Sequence, residues 1–194
     1  MAQPGFIRDV KLVNGVNLTQ LSENINAIRS DPKLAKFKFR AKNKWIFGGH
    51  NQITIGQFHG TNQEHRLNQT FKLEADEPPV LLGEDKGPNP VEYVLAALSA
   101  CMTTTLAYHA AARGYRIDSI ESEYEGDVDL QGFLCLRDDV RKGYQNIRVT
   151  FKVKGDIPEE VIHELLQISP VYDIVTNKVP VSIQVEKAES SHFG

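Results

Sequence analysis

One segment, residues 87–114, constrains the fold of this chain more than any other: GPNPVEYVLAALSACMTTTLAYHAAARG. Asn89 followed by Pro90 favours the start of a helix, and Gly114 stands where a left-handed residue commonly ends one. The residues between these signals would form a helix about 36 Å long. Across residues 91–102 nearly every position is apolar or small, on all sides of that helix. The sequence therefore predicts a buried central helix.

The composition excludes several classes of protein. With 194 residues, a net charge of −3 and interspersed charges, the chain does not resemble a protein that binds nucleic acid or a membrane surface. The N-terminal residues lack a basic flank followed by a long apolar core, and we expect no stretch that reaches the roughly 18 apolar residues that a spanning helix needs. We therefore expect a cytoplasmic protein whose partners are small molecules or a second copy of the chain.

Cysteine and histidine usage bears on cofactors. The two cysteines, Cys101 in the predicted helix and Cys135 in a later loop or strand edge, form no disulfide framework and fit a reducing compartment. The six histidines are scattered, without the spacing of a metal site. We expect neither a metal nor an organic cofactor.

Patterns before the central helix predict an N-terminal extension, residues 1–34, and then a sheet. The Asn14-Gly15 pair suits a tight turn, and apolar residues at helical spacing over residues 18–28 predict an amphipathic helix that packs on another part of the protein. The alternation of apolar with polar or charged residues predicts an antiparallel pair of strands at residues 36–45 and 53–58. It also predicts a third strand at residues 70–75. An acidic, proline-rich loop then leads to the central helix.

Patterns after the central helix predict two half-exposed strands, a helix pair and a final strand. The strands are expected within residues 117–130 and 147–153, and the first helix after a cap at Asp156. Ser169-Pro170 would open the second helix, and residues 179–185 would form the last strand. The fold class is α+β with antiparallel sheets, and residues 35–187 form one domain, followed by a flexible tail at 188–194.

A helix that is apolar on all sides needs cover on two sides, and a single sheet supplies one of them. A second copy of the chain would supply the other, so the sequence predicts a homodimer.

Three residues are the main candidates for chemistry, and each also has a structural interpretation. Cys101 would act either as a small buried hydrophobe or as a nucleophile, and it lies too far from the helix start to be activated by the helix dipole. Glu92 suits the third position of a capping box begun by Asn89. Because Glu92 and Cys101 are separated by about 13 Å along one helix, they would act together only across two chains. Ser169 suits a helix cap, a position where a cysteine would have a lowered pKa.

The central helix and its approach, ADEPPVLLGEDKGPNPVEYVLAALSAC, resemble those of the OsmC and organic hydroperoxide resistance proteins. That family carries a Gly-x-Asn/Ser-Pro-x-Glu start with a cysteine nine residues after the glutamate, and the later SPVYDIVTN segment is also similar. The resemblance covers roughly residues 36 to 186. It implies an intertwined α+β homodimer, without a cofactor, in which antiparallel sheets surround long central helices.

The resemblance also implies site residues for a thiol peroxidase. Cys101 falls on the position of the cysteine that attacks the peroxide, and Glu92 on the assisting glutamate. The family's second cysteine is replaced by Ser169, so the usual internal disulfide does not form there. The strand expected to hold an assisting arginine offers only Lys72, with Arg66 in an earlier segment.

Three functions remain open at this point. The first is a one-cysteine peroxidase that reduces organic hydroperoxides through Cys101 with an external thiol as reductant, and Thr105 and Tyr172 are predicted to contact its substrate. The second is a non-enzymatic dimer that binds a small apolar or electrophilic ligand near Cys101. The third is a redox sensor based on reversible oxidation of the same cysteine.

Overall fold

The chain forms an extended antiparallel arm and a body of helices and strands, and the structure, a computed structural model, describes residues 11–187. The expected tail at 188–194 and the first ten residues lie outside this range. The strands are β1 (Leu12–Val13), β2 (Val16–Asn17), β3 (Lys38–Phe39), β4 (Lys42–Phe47), β5 (His50–Gly60), β6 (Gln63–Ala75), β7 (Ile117–Asp127) and β8 (Asn146–Gly155). The helices are α1 (Leu18–Ser30), α2 (Pro90–Arg113), α3 (Leu130–Phe133), α4 (Glu159–Leu166) and α5 (Pro170–Thr176).

The N-terminal hairpin forms at the predicted turn. Asn14 and Gly15 both have positive φ, 52° and 77°, as a two-residue turn between β1 and β2 requires. The Asn14 side chain donates to the carbonyl oxygens of Tyr115 at 3.1 Å and Ala107 at 3.4 Å, and accepts from the Ile117 backbone at 2.8 Å. One asparagine therefore joins the hairpin to the end of α2 and the start of β7.

Helix α1 follows this hairpin over the predicted segment. Asn17 caps it by accepting from the Gln20 backbone N–H, and the chain leaves the helix at Asp31. None of its side chains is buried, and Ile25 and Ile28 stay nearly 40% exposed. The prediction of the helix was correct, but the expected packing of its apolar face is not found among residues 11–187.

The arm consists of β3 to β6. Strand β5 lies in the middle, with β6 along one side and with β3 and β4 in series along the other. The predicted single strand at 36–45 is thus two strands, and β5 and β6 are longer than predicted. A stack of aromatic rings covers part of one face: Phe37, Phe39, Phe58 and His65. Phe39 in this stack is 76% exposed, so the arm has no cover of its own.

The core of the body lies on one side of α2. Leu98, Met102, Leu106 and Ala110 of this helix pack with residues of α4 and with the β7–β8 hairpin. Leu106 is fully buried, which stabilises the fold by about 2 kcal/mol relative to an exposed leucine. On the other side of α2, Tyr108 remains 52% exposed.

Helix α2 has the bounds that the sequence predicts. Gly114 ends it with φ 86°, a left-handed conformation that suits glycine. The expectation that no segment is long and apolar enough to cross a membrane was wrong for α2, which among the described residues is the one helix that meets both criteria. The core helix of a soluble protein meets the same criteria. In this structure it packs against α4, α5 and β7.

Two predictions after α2 were wrong. Asp156 does not cap α4, because its carboxylate accepts from the Arg116 backbone N–H at 2.6 Å and Pro158 occupies the cap position. Residues 179–185 form no strand, and Val181 and Ile183 are more than 80% exposed. A strand needs a neighbour for its backbone hydrogen bonds, and no strand of the described part of the chain pairs with this segment.

Replacing Asn14 by alanine should lower the free energy of unfolding by about 1–3 kcal/mol, since the change leaves backbone groups at the end of α2 without their partner. The matched control is Asn26→Ala on exposed helix α1, for which a change within about 0.5 kcal/mol is expected. Urea unfolding followed by circular dichroism measures both. Equal effects of the two substitutions would contradict this role of Asn14.

Candidate functional site

Cys101 lies at the edge of the buried face of α2. It is half-buried and reduced, and it follows Leu98 by three residues and precedes Thr105 by four, which places all three along the same side of the helix. Leu98 is 2% exposed and Thr105 is 8% exposed. The thiol therefore stands at the boundary between the core and the uncovered side of α2, where a small reactant approaching from that side would meet it.

Glu92 is engaged at the start of the same helix. Its carboxylate accepts from the Asn89 backbone N–H at 2.8 Å, while the Asn89 side chain accepts from the Val91 backbone at 2.9 Å. This is the capping box that the sequence predicts. The structure does not bring Glu92 and Cys101 together, since nine helical residues separate them by about 13 Å.

Two tyrosines fix the first turn of α2. The Tyr144 hydroxyl donates to the Val91 carbonyl at 2.8 Å, and the Tyr93 hydroxyl donates to the Glu74 carbonyl at 2.6 Å. Burial, and secondarily the negative charge of Glu92, raise the pKa of Tyr144. The sequence analysis did not single out either tyrosine, because each acts through contacts that are distant in the chain.

The loop before α2 is organised around Asp76, which is only 1% exposed. Its carboxylate accepts from the backbone N–H groups of Glu77 at 2.8 Å, Glu84 at 3.0 Å and Lys86 at 3.2 Å. Burial by itself raises the pKa of Asp76, but these three donors outweigh it and the net effect lowers the pKa. The loop is thereby held in one shape that delivers Asn89 to its capping position.

Close backbone packing in this loop also explains why residue 83 is a glycine. A Cβ atom on Gly83 would lie 1.7 Å from the Glu77 carbonyl oxygen, a separation that no side chain could accept. The loop therefore requires glycine at this position.

Ser169 is completely buried at the start of α5. Its hydroxyl oxygen accepts from the Tyr172 backbone N–H at 3.3 Å, which confirms the predicted cap. Helix α5 packs against α2, so Ser169 belongs to the body that carries Cys101. A hydroxyl in this position supports the helix but supplies no thiol.

A cavity of about 580 Å³ opens in the body next to these elements. Its apolar wall includes Met102, Phe151, Ile162 and Tyr172, and its polar groups include Glu159 and His163. The predicted residue Tyr172 thus lies on the wall of this cavity, whereas Cys101 and Thr105 are not among the residues that line it. Helical spacing alone identifies Met102 as a core residue, and it takes the packing of α4 and β8 to turn that position into a cavity wall.

The described residues do not identify a cation that would assist the Cys101 thiol. Arg66 and Lys72 both lie on β6 in the arm, and no hydrogen bond or ion pair within residues 11–187 joins either to Cys101 or Glu92. In the same range, no cluster of three or more His, Cys, Asp and Glu side chains has the arrangement of a metal site. Cys135 lies in an exposed loop after α3, with a left-handed φ of 55°.

Comparison with known proteins identifies a family. Residues 83–184 match the family described as "OsmC-like protein", a span that contains α2, the β7–β8 hairpin, α4 and α5. No curated protein matches the sequence.

Two solved structures share the fold, and a third is similar at a lower score. An OsmC-like protein from Mycoplasma pneumoniae is 16% identical, with a TM-score of 0.53 over 73% of this chain and 89% of that one. An OsmC-like protein of unknown function from Vibrio cholerae is 14% identical, with a TM-score of 0.50 over 67% and 87% of the two chains. An organic hydroperoxide resistance protein OsmC from Legionella pneumophila is 15% identical, with a TM-score of 0.46 over 71% and 88%.

Replacing Asp76 by asparagine should destabilise the protein most above about pH 4, because the folded-state pKa of this carboxyl lies below its ordinary value of 3.8. The stability that the carboxylate contributes is fully present above the ordinary value and is lost as the pH falls through the lowered one. The unfolding midpoints of the natural protein and Asp76→Asn should therefore converge in acid. The control Asp85→Asn, on an exposed position of the same loop, should show no such pH-dependent gap. A difference in unfolding midpoint between the natural protein and Asp76→Asn that stays constant down to pH 3 would refute the role assigned to Asp76.

Proposed function

Because the chain belongs to the OsmC-like family, which includes hydroperoxide resistance proteins, we propose that it is a thiol-dependent peroxidase acting on organic hydroperoxides through Cys101. The observation that carries the proposal is the half-buried thiol of Cys101 at the edge of the buried face of α2, a helix whose next residue, Met102, lines a cavity of about 580 Å³ with apolar and polar walls. A cavity of this size matches the space that a small organic ligand occupies. The protein would act in the cytoplasm against oxidative stress.

The reaction needs one protein thiol and an external reductant. The Cys101 thiolate attacks one peroxide oxygen, the O–O bond breaks, and the alcohol leaves with a proton taken from solvent. Cys101 is left as a sulfenic acid. A first external thiol attacks this sulfur and releases water, and a second thiol then frees Cys101 and leaves as a disulfide. Each turnover converts one hydroperoxide and two thiols into an alcohol, water and a disulfide.

Ser169 explains why the reductant would be external. In the related peroxidases that the sequence resembles, a second cysteine at this position closes an internal disulfide. The buried hydroxyl of Ser169 accepts a hydrogen bond from the helix and has no sulfur to offer. The sulfenic acid therefore persists until a thiol enters from solution.

A homodimer would complete the site. The capping box holds Glu92 about 13 Å from Cys101 of the same helix, so an assisting carboxylate would come from the Glu92 of a second copy. The exposed side of α2, the exposed aromatic rings of the arm and the exposed valines and isoleucine of 179–185 are apolar surfaces that a second copy would bury.

One observation favours a second candidate function. Valine, phenylalanine and isoleucine side chains dominate the cavity wall beside Met102, and such a wall would hold an apolar ligand without any turnover. In that case the protein would be a ligand-binding member of the family, and Cys101 would serve as a packing residue or a site of reaction with electrophiles.

The proposal is tested by following the consumption of cumene hydroperoxide with a dithiol as reductant. Cys101→Ser should lower turnover about 100-fold or more, because no other described thiol can attack the peroxide from this position. Ser169→Cys should raise dithiol-driven turnover several-fold, because an internal disulfide would then protect and resolve the sulfenic acid. Cys135→Ser is the matched control and should leave the rate unchanged, since this cysteine lies in an exposed loop.

The same experiment separates the two candidate functions. Turnover that is unaffected by Cys101→Ser would exclude the peroxidase mechanism. Absence of turnover in the natural protein, with saturable binding of an apolar fluorescent probe that the bulky substitution Met102→Trp prevents, would establish the ligand-binding function instead.

Sedimentation velocity tests the dimer. The natural protein should sediment as a dimer at micromolar concentration, and Ile183→Asp should weaken dimerisation about tenfold or more, because it places a charge in an apolar surface that the second copy would bury. Ser182→Asp adds the same charge at the adjacent polar position and should have a smaller effect. A natural protein that sediments as a monomer would exclude the dimer.

A further inference from the structure

The arm contains a second cavity, an open groove of about 460 Å³ that is lined by residues of the arm. It is lined by residues of β4, β5 and β6 and of the segment between β3 and β4: Arg40, Lys42, Thr54, Gly56, Gln57, Arg66, Leu67 and Thr70. Three of these eight residues carry a positive charge, and no carboxylate lines the groove. We call this site the basic groove.

The basic groove exists because β5 and β6 do not pair continuously. Gln57 pairs with Arg66, whereas two residues earlier Ile55 pairs with Phe71. Residues 67–70 therefore stand opposite a single residue of β5, and the extra length of β6 bulges out of the sheet. Bulges of this kind redirect side chains, and here the hydroxyl of Thr70 and the side chain of Leu67 are part of the wall.

The charges in the basic groove are not all neutralised. Arg40 is held by Glu64 through two hydrogen bonds, at 2.7 Å and 3.0 Å, and this pairing lowers the pKa of Glu64 to about 2. Lys42 and Arg66 have no ion pair with any carboxylate of residues 11–187. The groove thus presents two unpaired cations beside a third whose charge is balanced.

The charges of the whole arm add to the positive electrostatic potential of the basic groove. Residues 36–75 contain seven lysines and arginines but only two acidic residues, Glu64 and Glu74, in a chain whose net charge is −3. A positive region on a negative protein attracts anions selectively to one part of the surface.

We infer that the basic groove binds the phosphate group of a small molecule or a lipid headgroup, with Arg66 and Lys42 as its charged contacts. The planar guanidinium of Arg66 offers paired N–H donors that match two phosphate oxygens, and Lys42 adds a point charge. Thr54, Thr70 and Gln57 supply neutral donors, and Leu67 offers an apolar contact for the remainder of the ligand. The volume of the groove exceeds that of phosphate alone, so a phosphorylated organic molecule fits better than a free ion.

Calorimetric titration of the full chain tests this site, with inorganic phosphate, phenyl phosphate, and vesicles with or without phosphatidic acid, all at constant ionic strength. Phenyl phosphate should bind more tightly than inorganic phosphate. Arg66→Gln and Lys42→Gln should each weaken binding about tenfold, because each removes a charge-assisted contact. Lys44→Gln is the matched control: it removes the same charge from the same strand, outside the groove, and should change the affinity less than about twofold.

A second variant tests the site by a gain of binding. Glu64→Gln frees Arg40 from its carboxylate and should tighten phosphate binding several-fold, which no loss of folding could imitate. Binding confined to phosphatidic acid vesicles, with the same dependence on Arg66, would assign the phosphate to a lipid headgroup. No saturable binding to any of the probes, or equal weakening by Lys44→Gln and Arg66→Gln, would overturn the inference.

Discussion

The physical constraint on which this structure depends is that α2 is more apolar than the rest of residues 11–187 covers. The packing of α4, α5 and the β7–β8 hairpin buries Leu98, Met102 and Leu106, while Tyr108 on another side stays 52% exposed. Cys101 lies on the boundary between these sides. Its position makes the reactivity of the thiol depend on what covers the open side, because burial and neighbouring charges set the pKa of a cysteine.

The start of α2 is specified with more contacts than a surface helix needs. The capping box and the two tyrosine hydroxyls act on residues 89–93, and the Asp76 carboxylate holds the loop that precedes them. Their combined effect is to fix the direction in which α2 leaves the loop. In a peroxidase this matters because a thiol must approach the O–O bond along a defined line, and small displacements cost rate.

Ser169, at the position where the sequence resemblance implies a second cysteine, meets the structural needs of the helix pair. Serine and cysteine have similar shapes, and the hydroxyl caps α5 as well as any polar side chain would. The helix pair is therefore retained whether or not the position takes part in a reaction. Fold similarity to OsmC-like proteins consequently establishes the architecture, while activity depends on single side chains.

Much of the local structure follows from the sequence alone. The bounds of α2, its capping box, the Asn14-Gly15 turn and the Ser169 cap are determined by residues within a few positions of one another, where steric and hydrogen-bonding preferences act directly. Alternation also located β7 and β8 correctly, because one face of that hairpin packs on α2 and the other faces solvent.

Only the tertiary structure decided the rest, because the decisive contacts join residues that are far apart in the chain. It showed that Asp156 bonds to Arg116 instead of capping α4, that Asp76 collects three backbone donors, and that Met102 and Tyr172 share one cavity. The missing strand at 179–185 has the same explanation. Its valines and isoleucine alternate as in a strand, but pairing requires a free edge that the folded chain does not bring to it.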